Sequence, residues 1–310
     1  MSTRLSNIKK AIKYLNKNDC IAIPTETVYG LAANAYSDKA TSKIYKLKKR
    51  PKNNPLIVHY YKLEDLEKDC HINSNFKKLY KKFCPGPISF VLKLKKNSSI
   101  SKNVTNNKNT IAVRFPKHPI TRNLLKKLKF PLAAPSANIS KSVSPVTKED
   151  VIDEFGNRIK FILDGGRTKI GLESTIISLV SKPTILRLGG IERNRLNKIL
   201  DTKIIMNNSP SKILSPGQYK LHYSPGIPVR LNVKKAKIDE AFLLISKRKN
   251  KSKNFFYLSK NKNLKEIAKK LYQTLRKVKK LGYKSIAVER IPKKELGETI
   301  NDRLQRASNY

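Results

Sequence analysis

Basic and small polar side chains stand at the ends of apolar runs, where an open α/β sheet collects its ligand-binding groups at one edge. The basic members of this set are Lys48, Arg50, His59, Arg114 and Arg187. The same segments contain only three acidic residues, which are Glu26, Asp164 and Glu173. Because arginine forks bind carboxylates and phosphates through paired hydrogen bonds, the set predicts a cleft for an anionic ligand.

Each of these residues also has an ordinary structural interpretation. An arginine at a strand end is more often a surface residue, and an isolated histidine is more often hydrogen-bonded within a core. Common catalytic signatures are missing from the sequence. Gly166 and Gly171 have the spacing of a phosphate-binding loop, but Leu172 and Glu173 replace its lysine and hydroxyl residue. The four histidines show no metal-ligand spacing, and no C-x-x-C pair occurs among the three cysteines.

Ordered short motifs carry more information than the single residues. They read PTETVYGL at 24–31, KKR at 48–50 followed by PL at 55–56, SAN at 136–138, DGG at 164–166, GLESTI at 171–176, ILRLG at 185–189, SPGQ at 215–218, HYSP at 222–225, GE at 297–298 and NDRL at 301–304. In kind and order they resemble the long form of the threonylcarbamoyl-AMP synthase family, whose catalytic unit is a YrdC-type domain. The resemblance covers nearly the whole chain, and Ala32 departs from it where a second glycine is common.

The resemblance implies a nucleotidyltransferase that condenses L-threonine, bicarbonate and ATP into threonylcarbamoyl-AMP and pyrophosphate. By the same resemblance, Lys48 and Arg50 are the catalytic residues. The implied threonine pocket consists of Thr27, His59, Arg114, Ala134 and Ser174, with Arg114 facing the carboxylate. The implied ATP contacts are Arg50, Asn54, Thr110, Ser136, Asn138, Ser144, Arg187 and Tyr223. Mg²⁺ is expected to arrive with the ATP phosphates, without a dedicated protein site, and Glu26 is expected to be structural in preference to a general base.

Alternating helix-like and strand-like segments must position these residues. Short apolar runs such as 20–23, 88–94 and 174–179 predict strands, and lysine-rich amphipathic stretches between them predict helices. We therefore expect an α/β chain: a YrdC-like catalytic domain with a twisted mixed sheet over 1–208, then a small Rossmann-like α/β domain over 229–310. Proline and glycine accumulate between them, which predicts a linker over 209–228. Because Tyr223 lies in that linker, we expect the segment to fold over the catalytic domain as a lid.

The composition limits the classes of protein to which the chain could belong. The chain has 310 residues with 39% hydrophobic and 29% charged side chains, enough for about two domains at roughly 150 residues each. No apolar run approaches the length of a membrane span, and residues 1–20 lack the pattern of a secretory signal. The number of cysteines is odd and they show no disulfide-like spacing, which favours free thiols in a reducing compartment. We therefore expect a cytoplasmic protein.

The formal net charge of +45 keeps a second function class open. A non-catalytic protein of the same domain type could present its basic face to structured RNA, and weak or indirect tRNA binding is also compatible with a synthase. Lysine spread over every helix-like segment favours a compositional bias instead, and no recognised RNA-binding module occurs. A carbamoyl-transferring maturation enzyme is disfavoured because its zinc-finger cysteine pairs are missing. For a synthase, the resemblance implies a separate transferase that carries the adenylate product to the adenosine beside the anticodon of tRNA.

Overall fold

The computed structural model describes residues 2–207, 219, 221–250 and 252–309. These residues form two β-sheets with helices packed against them, which confirms the α/β fold with a second, smaller domain. Within the described ranges the larger sheet has nine strands, namely β1 (Ile21–Ile23), β2 (Gly30–Asn34), β3 (Ile57–His59), β4 (Ile88–Lys93), β5 (Thr110–Arg114), β6 (Leu132–Ala133), β7 (Thr175–Ser178), β8 (Thr184–Arg187) and β9 (Ile205–Met206).

The larger sheet is mixed, as the sequence predicted, and its register aligns polar residues across neighbouring strands. Its strand order is β1-β2-β6-β3-β5-β4-β7-β8-β9. Strands β3 and β5 run parallel with His59 opposite Arg114, and β4 runs antiparallel to β5 with Ser89 opposite the same arginine. This register brings one histidine, one arginine and one serine into a row at a single edge of the sheet.

Amphipathic helices cover this sheet. They are α1 (Ser2–Asn16), α2 (Asp38–Lys48), α3 (Leu63–Asp69), α4 (Ser74–Phe83), α5 (Lys102–Thr105), α6 (Pro119–Lys127), α7 (Lys148–Phe155) and α8 (Arg193–Leu200). In α1 the residues Ile8, Ala11 and Leu15 recur at helical spacing and are all buried, because one face of the helix packs on the sheet. Lysines occupy the opposite, exposed faces of the helices, which is where long charged side chains remain hydrated.

The smaller sheet has four described strands, all parallel, in the order β10 (Val229–Arg230), β13 (Ser285–Val288), β11 (Glu240–Leu244) and β12 (Phe255–Tyr257). Helices α9 (Leu264–Lys280) and α10 (Leu296–Ser308) pack against it. Its apolar core extends into the first domain, because Val28, Val143 and Leu172 belong to the same buried cluster as the apolar face of α9. The two sheets are therefore joined by a shared hydrophobic interface.

Two local features differ from the sequence-based expectations. Strand β2 was not predicted, because its small residues follow directly on a motif that resembles a strand end. The apolar run at 161–163 also predicts a strand, but it contributes only an isolated bridge between Ile162 and Ala22. Most of the predicted linker, at 208–218 and 220, lies outside the described residues, so the domain boundaries stay predictions. Across the described ranges, none of the helices is both long enough and apolar enough to cross a bilayer.

Candidate active site

A small cavity lies where the carboxyl ends of β3, β5 and β8 meet the first loop of the chain. It is lined by Thr25, Val28, Tyr29, Gly30, Arg50, Ile57, His59, Arg114, Ala134, Pro135, Ser136, Glu173, Ser174, Arg187, His222 and Tyr223. Its free volume of about 30 Å³ is far below the several hundred Å³ of a typical ligand pocket. A roomier cleft of about 540 Å³ beside Lys141 and Gly226 contains none of the predicted site residues. The predicted site thus coincides with a nearly closed cavity.

Arg114 and His59 form one wall of the cavity. Nη2 of Arg114 donates to Oε1 of Glu26 at 2.7 Å, and both side chains are buried. The second Glu26 oxygen accepts the backbone N–H of Lys117 at 2.9 Å, which favours a structural role for this carboxylate. Burial lowers the pKa of His59 well below its usual value, and the charge of Arg114 adds to the effect, so the imidazole is neutral near pH 7. Nε of Arg114 and Nδ1 of His59 have no hydrogen-bond partner among the described residues.

Arg50 reaches the cavity because helix α2 ends two residues earlier, at Lys48. Lys49 adopts a left-handed backbone at φ 48°, and this turn carries the chain from the helix towards the site. The Arg50 guanidinium donates to the carbonyl of Asn54 at 3.0 Å and to its amide oxygen at 2.5 Å, which fixes the fork at the cavity wall. Burial lowers the pKa of Arg50 to about 10, so it remains protonated near pH 7.

Ser174 and Arg187 form the wall opposite. Oγ of Ser174 lies 2.8 Å from Oγ of Ser89, and the Arg187 guanidinium donates to both the carbonyl and the hydroxyl of Ser174. Arg187 ends β8, and Ser174 directly precedes β7, so the pairing of these two strands sets the contact. Arg50, Arg114 and Arg187 therefore approach one cavity from three different strands or loops.

Glu173 anchors the cavity wall from behind. Its Oε1 accepts from Ser144 at 2.7 Å, and its Oε2 accepts from Tyr272 Oη at 3.0 Å and from Arg303 Nε at 2.9 Å. Burial alone would raise the pKa of Glu173, but the charges of Arg303 and Arg187 and the bond from Ser144 lower it to about 2. The carboxylate is thus ionised near pH 7, and two of its partners come from the smaller domain.

His222 and Tyr223 roof the cavity. Their rings lie 3.9 Å apart, and the Tyr223 ring stacks on Tyr272 at 5.9 Å with an interplanar angle of 16°. Tyr223 adopts a left-handed backbone at φ 63°, which turns its ring towards the cavity. Burial lowers the pKa of His222 to about 3, where the nearby Glu173 opposes the effect and the cations Arg50, Arg303 and Lys48 add to it. The described end of the linker therefore covers the site.

Six predicted residues do not line the cavity in this conformation. They are Thr27, Lys48, Asn54, Thr110, Asn138 and Ser144. Five of them are buried directly behind it, where Lys48 Nζ donates to the carbonyls of Ser136 and Asn138 and Thr27 is hydrogen-bonded to Thr25. Burial lowers the pKa of Lys48 well below its usual value, with a smaller contribution from Arg50. Thr110 starts β5 and lies roughly 13 Å along the strand from Arg114, since each strand residue advances the chain by about 3.3 Å.

Sequence reasoning gave no role to Tyr272 and Arg303, although both donate hydrogen bonds to Glu173, which lines the cavity. Arg303 belongs to the NDRL motif at 301–304, but its contact with Glu173 spans 130 residues and has no local signal. Tyr272 lies on the buried face of α9, where its spacing resembles that of an ordinary core residue. The described residues contain no group of three or more His, Cys, Asp or Glu side chains that could hold a metal ion.

Comparisons with known proteins agree with this architecture. A family model described as "Telomere recombination" (Sua5, YciO and YrdC) matches residues 13–189, and one described as "Threonylcarbamoyl-AMP synthase, C-terminal domain" matches residues 191–309. The threonylcarbamoyl-AMP synthase of Pyrococcus abyssi is 35% identical over 98% of this chain and 94% of its own length. The chain belongs to the threonylcarbamoyl-AMP synthase family.

A second relative and a solved structure match to different extents. The Bacillus subtilis threonylcarbamoyl-AMP synthase is 38% identical over 74% of this chain and 68% of its own length. The crystal structure of P. abyssi Sua5 complexed with L-threonine superposes with a TM-score of 0.90 at 33% identity, covering 98% of this chain and 94% of that one. The two-domain architecture is therefore that of a family member of known structure.

Proposed function

We propose that this protein condenses L-threonine, bicarbonate and ATP into threonylcarbamoyl-AMP and pyrophosphate. The observation that carries the proposal is the convergence of Arg50, Arg114 and Arg187 on one nearly closed cavity in a chain of this family. The reaction brings an amino acid carboxylate, a carbamate and a triphosphate together. Guanidinium groups match these anions in charge and in hydrogen-bond geometry.

Two bond-forming steps make up the proposed reaction. The threonine amine joins the carbon of bicarbonate, water leaves, and an N-carboxylated threonine results. A carbamate oxygen then attacks the α-phosphorus of ATP, the bond to the β-phosphate breaks, and pyrophosphate departs. This chemistry depends on orientation and on stabilised negative charge, which fixed arginines in a closed cavity supply.

Threonine is assigned to the part of the cavity that contains Arg114, His59, Ala134 and Ser174. The unpartnered Arg114 Nε offers a hydrogen-bond donor to the substrate carboxylate. Because His59 is neutral, Arg114 is the main cation beside that carboxylate. Thr27 lies buried behind this wall and would act through Thr25. Thr27 remains a proposed pocket residue, because modest opening of the first loop would expose its side chain.

The nucleotide is assigned to the part that contains Arg50, Ser136, Arg187 and Tyr223. The Tyr223 hydroxyl is buried without a hydrogen-bond partner among the described residues, so a ligand atom would satisfy it. Lys48 shapes this region through the carbonyls of Ser136 and Asn138 instead of reaching the cavity itself. The remaining proposed ATP contacts are Asn54, Thr110, Asn138 and Ser144, which an open conformation would have to expose.

Mg²⁺ is proposed to enter as part of the ATP complex. The two carboxylates nearest to the cavity, Glu26 and Glu173, are each hydrogen-bonded to an arginine and to a further donor. Neither offers a free ligand, and Mg²⁺ commonly relies on substrate phosphates and water. The metal would neutralise part of the phosphate charge, while the arginines orient the nucleotide.

The product is proposed to pass to a separate transferase that modifies the adenosine beside the anticodon of tRNA. Two buried free cysteines, Cys20 and Cys70, agree with a reducing compartment, so we propose a cytoplasmic location. The division into a catalytic domain at 1–208, a lid at 209–228 and a small domain at 229–310 is proposed on the two separate sheets. A purely RNA-binding role is less well supported, because it gives no reason for the closed arginine-lined cavity.

Pyrophosphate release tests the proposal. Purified protein with ATP and Mg²⁺ should release pyrophosphate only when both threonine and bicarbonate are present. Serine in place of threonine and bicarbonate-depleted buffer are the controls. Pyrophosphate release that is indifferent to threonine would show a different ATP-dependent reaction and would remove the support for this function.

A further inference from the structure

Arg303 is a buried arginine that the smaller domain inserts behind the cavity. It lies on α10 and is only 1% exposed, which makes it the largest fully buried side chain among the described residues. Its Nε donates to Glu173 at 2.9 Å, and its Nη2 donates to the carbonyl of Leu188, the residue after Arg187. Its guanidinium carbon lies 4.7 Å from the centre of the Tyr223 ring. One side chain thus contacts three segments that border the cavity.

These contacts affect both the net charge and the shape of the cavity wall. Arg303, Arg187 and Glu173 are all buried together. Arg303 also forms an ion pair with Asp302, which pairs in turn with Arg306. Three arginines and two ionised carboxylates give this group a net charge of one positive unit. Without Arg303 the same group would be neutral, because the charges of Glu173 and Asp302 would offset those of Arg187 and Arg306. A neutral wall attracts a nucleotide polyphosphate less strongly, since Coulomb interactions are strong where water is excluded.

The same arginine also supports the roof. The Tyr223 ring contacts both the Arg303 guanidinium and the ring of Tyr272, and the smaller domain supplies both of these side chains. Cation–π attraction is strongest where the partners are desolvated, as they are here. Tyr223 therefore adopts its position over the cavity with help from two side chains that never reach the cavity themselves.

We propose that Arg303 is a positioning residue for the nucleotide site: it balances the charge of Glu173 and holds Tyr223 over the cavity. The smaller domain would accordingly complete the site of the larger one. This inference rests on the proposed function only in naming the ligand as ATP. It predicts an effect on nucleotide affinity from a residue that makes no direct contact with the nucleotide.

The test compares Arg303→Met, Arg303→Lys and the double variant Glu173→Gln/Arg303→Met with the wild type. We expect Arg303→Met to raise the KM for ATP and the Kd for a non-hydrolysable ATP analogue by roughly 5- to 150-fold, the usual range of coupling between sites. Arg303→Lys should retain part of the affinity because it keeps the charge. In the double variant the wall regains one net positive charge, so its Kd should be lower than that of Arg303→Met by at least about fivefold.

Arg193→Met is the matched control. Arg193 joins the same two domains through an ion pair with Glu298 at 3.2 Å, but it is partly exposed and does not contact the cavity. We expect its KM and Kd to equal those of the wild type. A purely structural Arg303 would instead give less active protein and a lower melting temperature with an unchanged Kd for the analogue, and the double variant would bind no better than the single one.

An unchanged Kd for Arg303→Met would overturn the inference, and so would a double variant that binds no better than the single one. Both results count only if circular dichroism shows that the variants are folded. If Arg303→Met does not fold, Arg303→Lys and the double variant decide the question by the same Kd comparison. Failure of the proposed function looks different, because the wild type would then release no pyrophosphate in response to threonine. Analogue binding is measured without turnover and therefore separates the two outcomes.

Discussion

Arg114 and Glu26 form a buried ion pair at the cavity wall, with 2.7 Å between Nη2 and Oε1 and side-chain exposures of 5% and 7%. The two residues are 88 positions apart, one on the first loop and the other at the end of β5. The pair orients the arginine, because the carboxylate holds one nitrogen and leaves Nε directed elsewhere. Glu26 therefore acts as a fixed counter-ion to Arg114, the residue that we propose binds the substrate carboxylate.

Removing the counter-ion should destabilise the fold. Glu26→Ala leaves Arg114 buried without a partner, and breaking a buried pair in this way costs about 3–5 kcal/mol. We expect the free energy of unfolding in urea to fall by that amount. The exposed ion pair of Lys68 and Asp65 provides the comparison. Asp65→Ala should change the free energy of unfolding by less than about 1 kcal/mol.

The Glu26→Gln variant separates a counter-ion from a general base. A glutamine amide keeps one acceptor oxygen, so it can still accept from either Arg114 or the Lys117 backbone but not from both. It cannot act as a base. If Glu26 is only a counter-ion, the pH dependence of kcat should keep the shape of the wild-type curve. Disappearance of an acidic limb from that curve, with normal folding, would identify Glu26 as a base and contradict the structural role.

Arg50 should contribute to affinity or rate through its charge. Its guanidinium is fixed by Asn54 at the cavity wall, so Arg50→Ala removes charge-assisted hydrogen bonds worth roughly 1.5–3 kcal/mol, or about 10- to 150-fold in kcat/KM for ATP. Arg122→Ala is the control, because Arg122 stacks on Tyr61 outside the cavity. Equal kcat/KM values for both variants and the wild type would exclude Arg50 from the site.

The roof over the cavity should open and close with ligands. The free volume is only about 30 Å³, so we expect His222 and Tyr223 to move when substrates enter. We expect threonine plus a non-hydrolysable ATP analogue to slow proteolysis within 215–225, and Tyr223→Ala to weaken analogue binding. Cleavage at the same rate with and without both ligands, together with normal binding by Tyr223→Ala, would reduce the segment to a passive tether.

The closed roof should also weaken in acid. In the closed state the pKa of His222 is about 3, whereas an exposed imidazole has its ordinary value near 6.5. The stabilisation from the neutral histidine is fully present above pH 6.5 and is lost as the pH falls towards 3, at up to about 1.4 kcal/mol per pH unit. Proteolysis within 215–225 should therefore rise between pH 7 and pH 5, relative to a reference peptide, and His222→Gln should remove this rise.

Local pattern was sufficient to predict much of this structure. Strand β5 follows from the apolar run at 110–115, and α9 follows from apolar residues at helical spacing with Asn263 accepting hydrogen bonds at its start. The arginines at strand ends were recognisable because they belong to an ordered series of short motifs, since a single arginine at a strand end is more often a surface residue. Their meeting in one cavity confirms that the ends of these strands share an edge.

Local sequence patterns could not predict the contacts between residues that are far apart in the chain. Even spacing puts Thr110 and Arg114 on one face of a strand but does not bring both to the same ligand, since they lie at opposite ends. The bonds of Glu173 to Tyr272 and Arg303 join residues that are 99 and 130 positions apart, so only the packing of the two domains creates them. Strand β2 escaped prediction because its pairing with β1 and β6 compensates for a low intrinsic strand propensity.

The fate of labelled bicarbonate tests the central claim most directly. Protein incubated with ATP, Mg²⁺, threonine and ¹³C-bicarbonate should form an AMP adduct whose mass contains threonine and the ¹³C atom, in equal amount to the pyrophosphate released. An adduct of AMP and threonine that lacks the ¹³C label, or labelled pyrophosphate exchange without any carbonyl incorporation, would contradict the account.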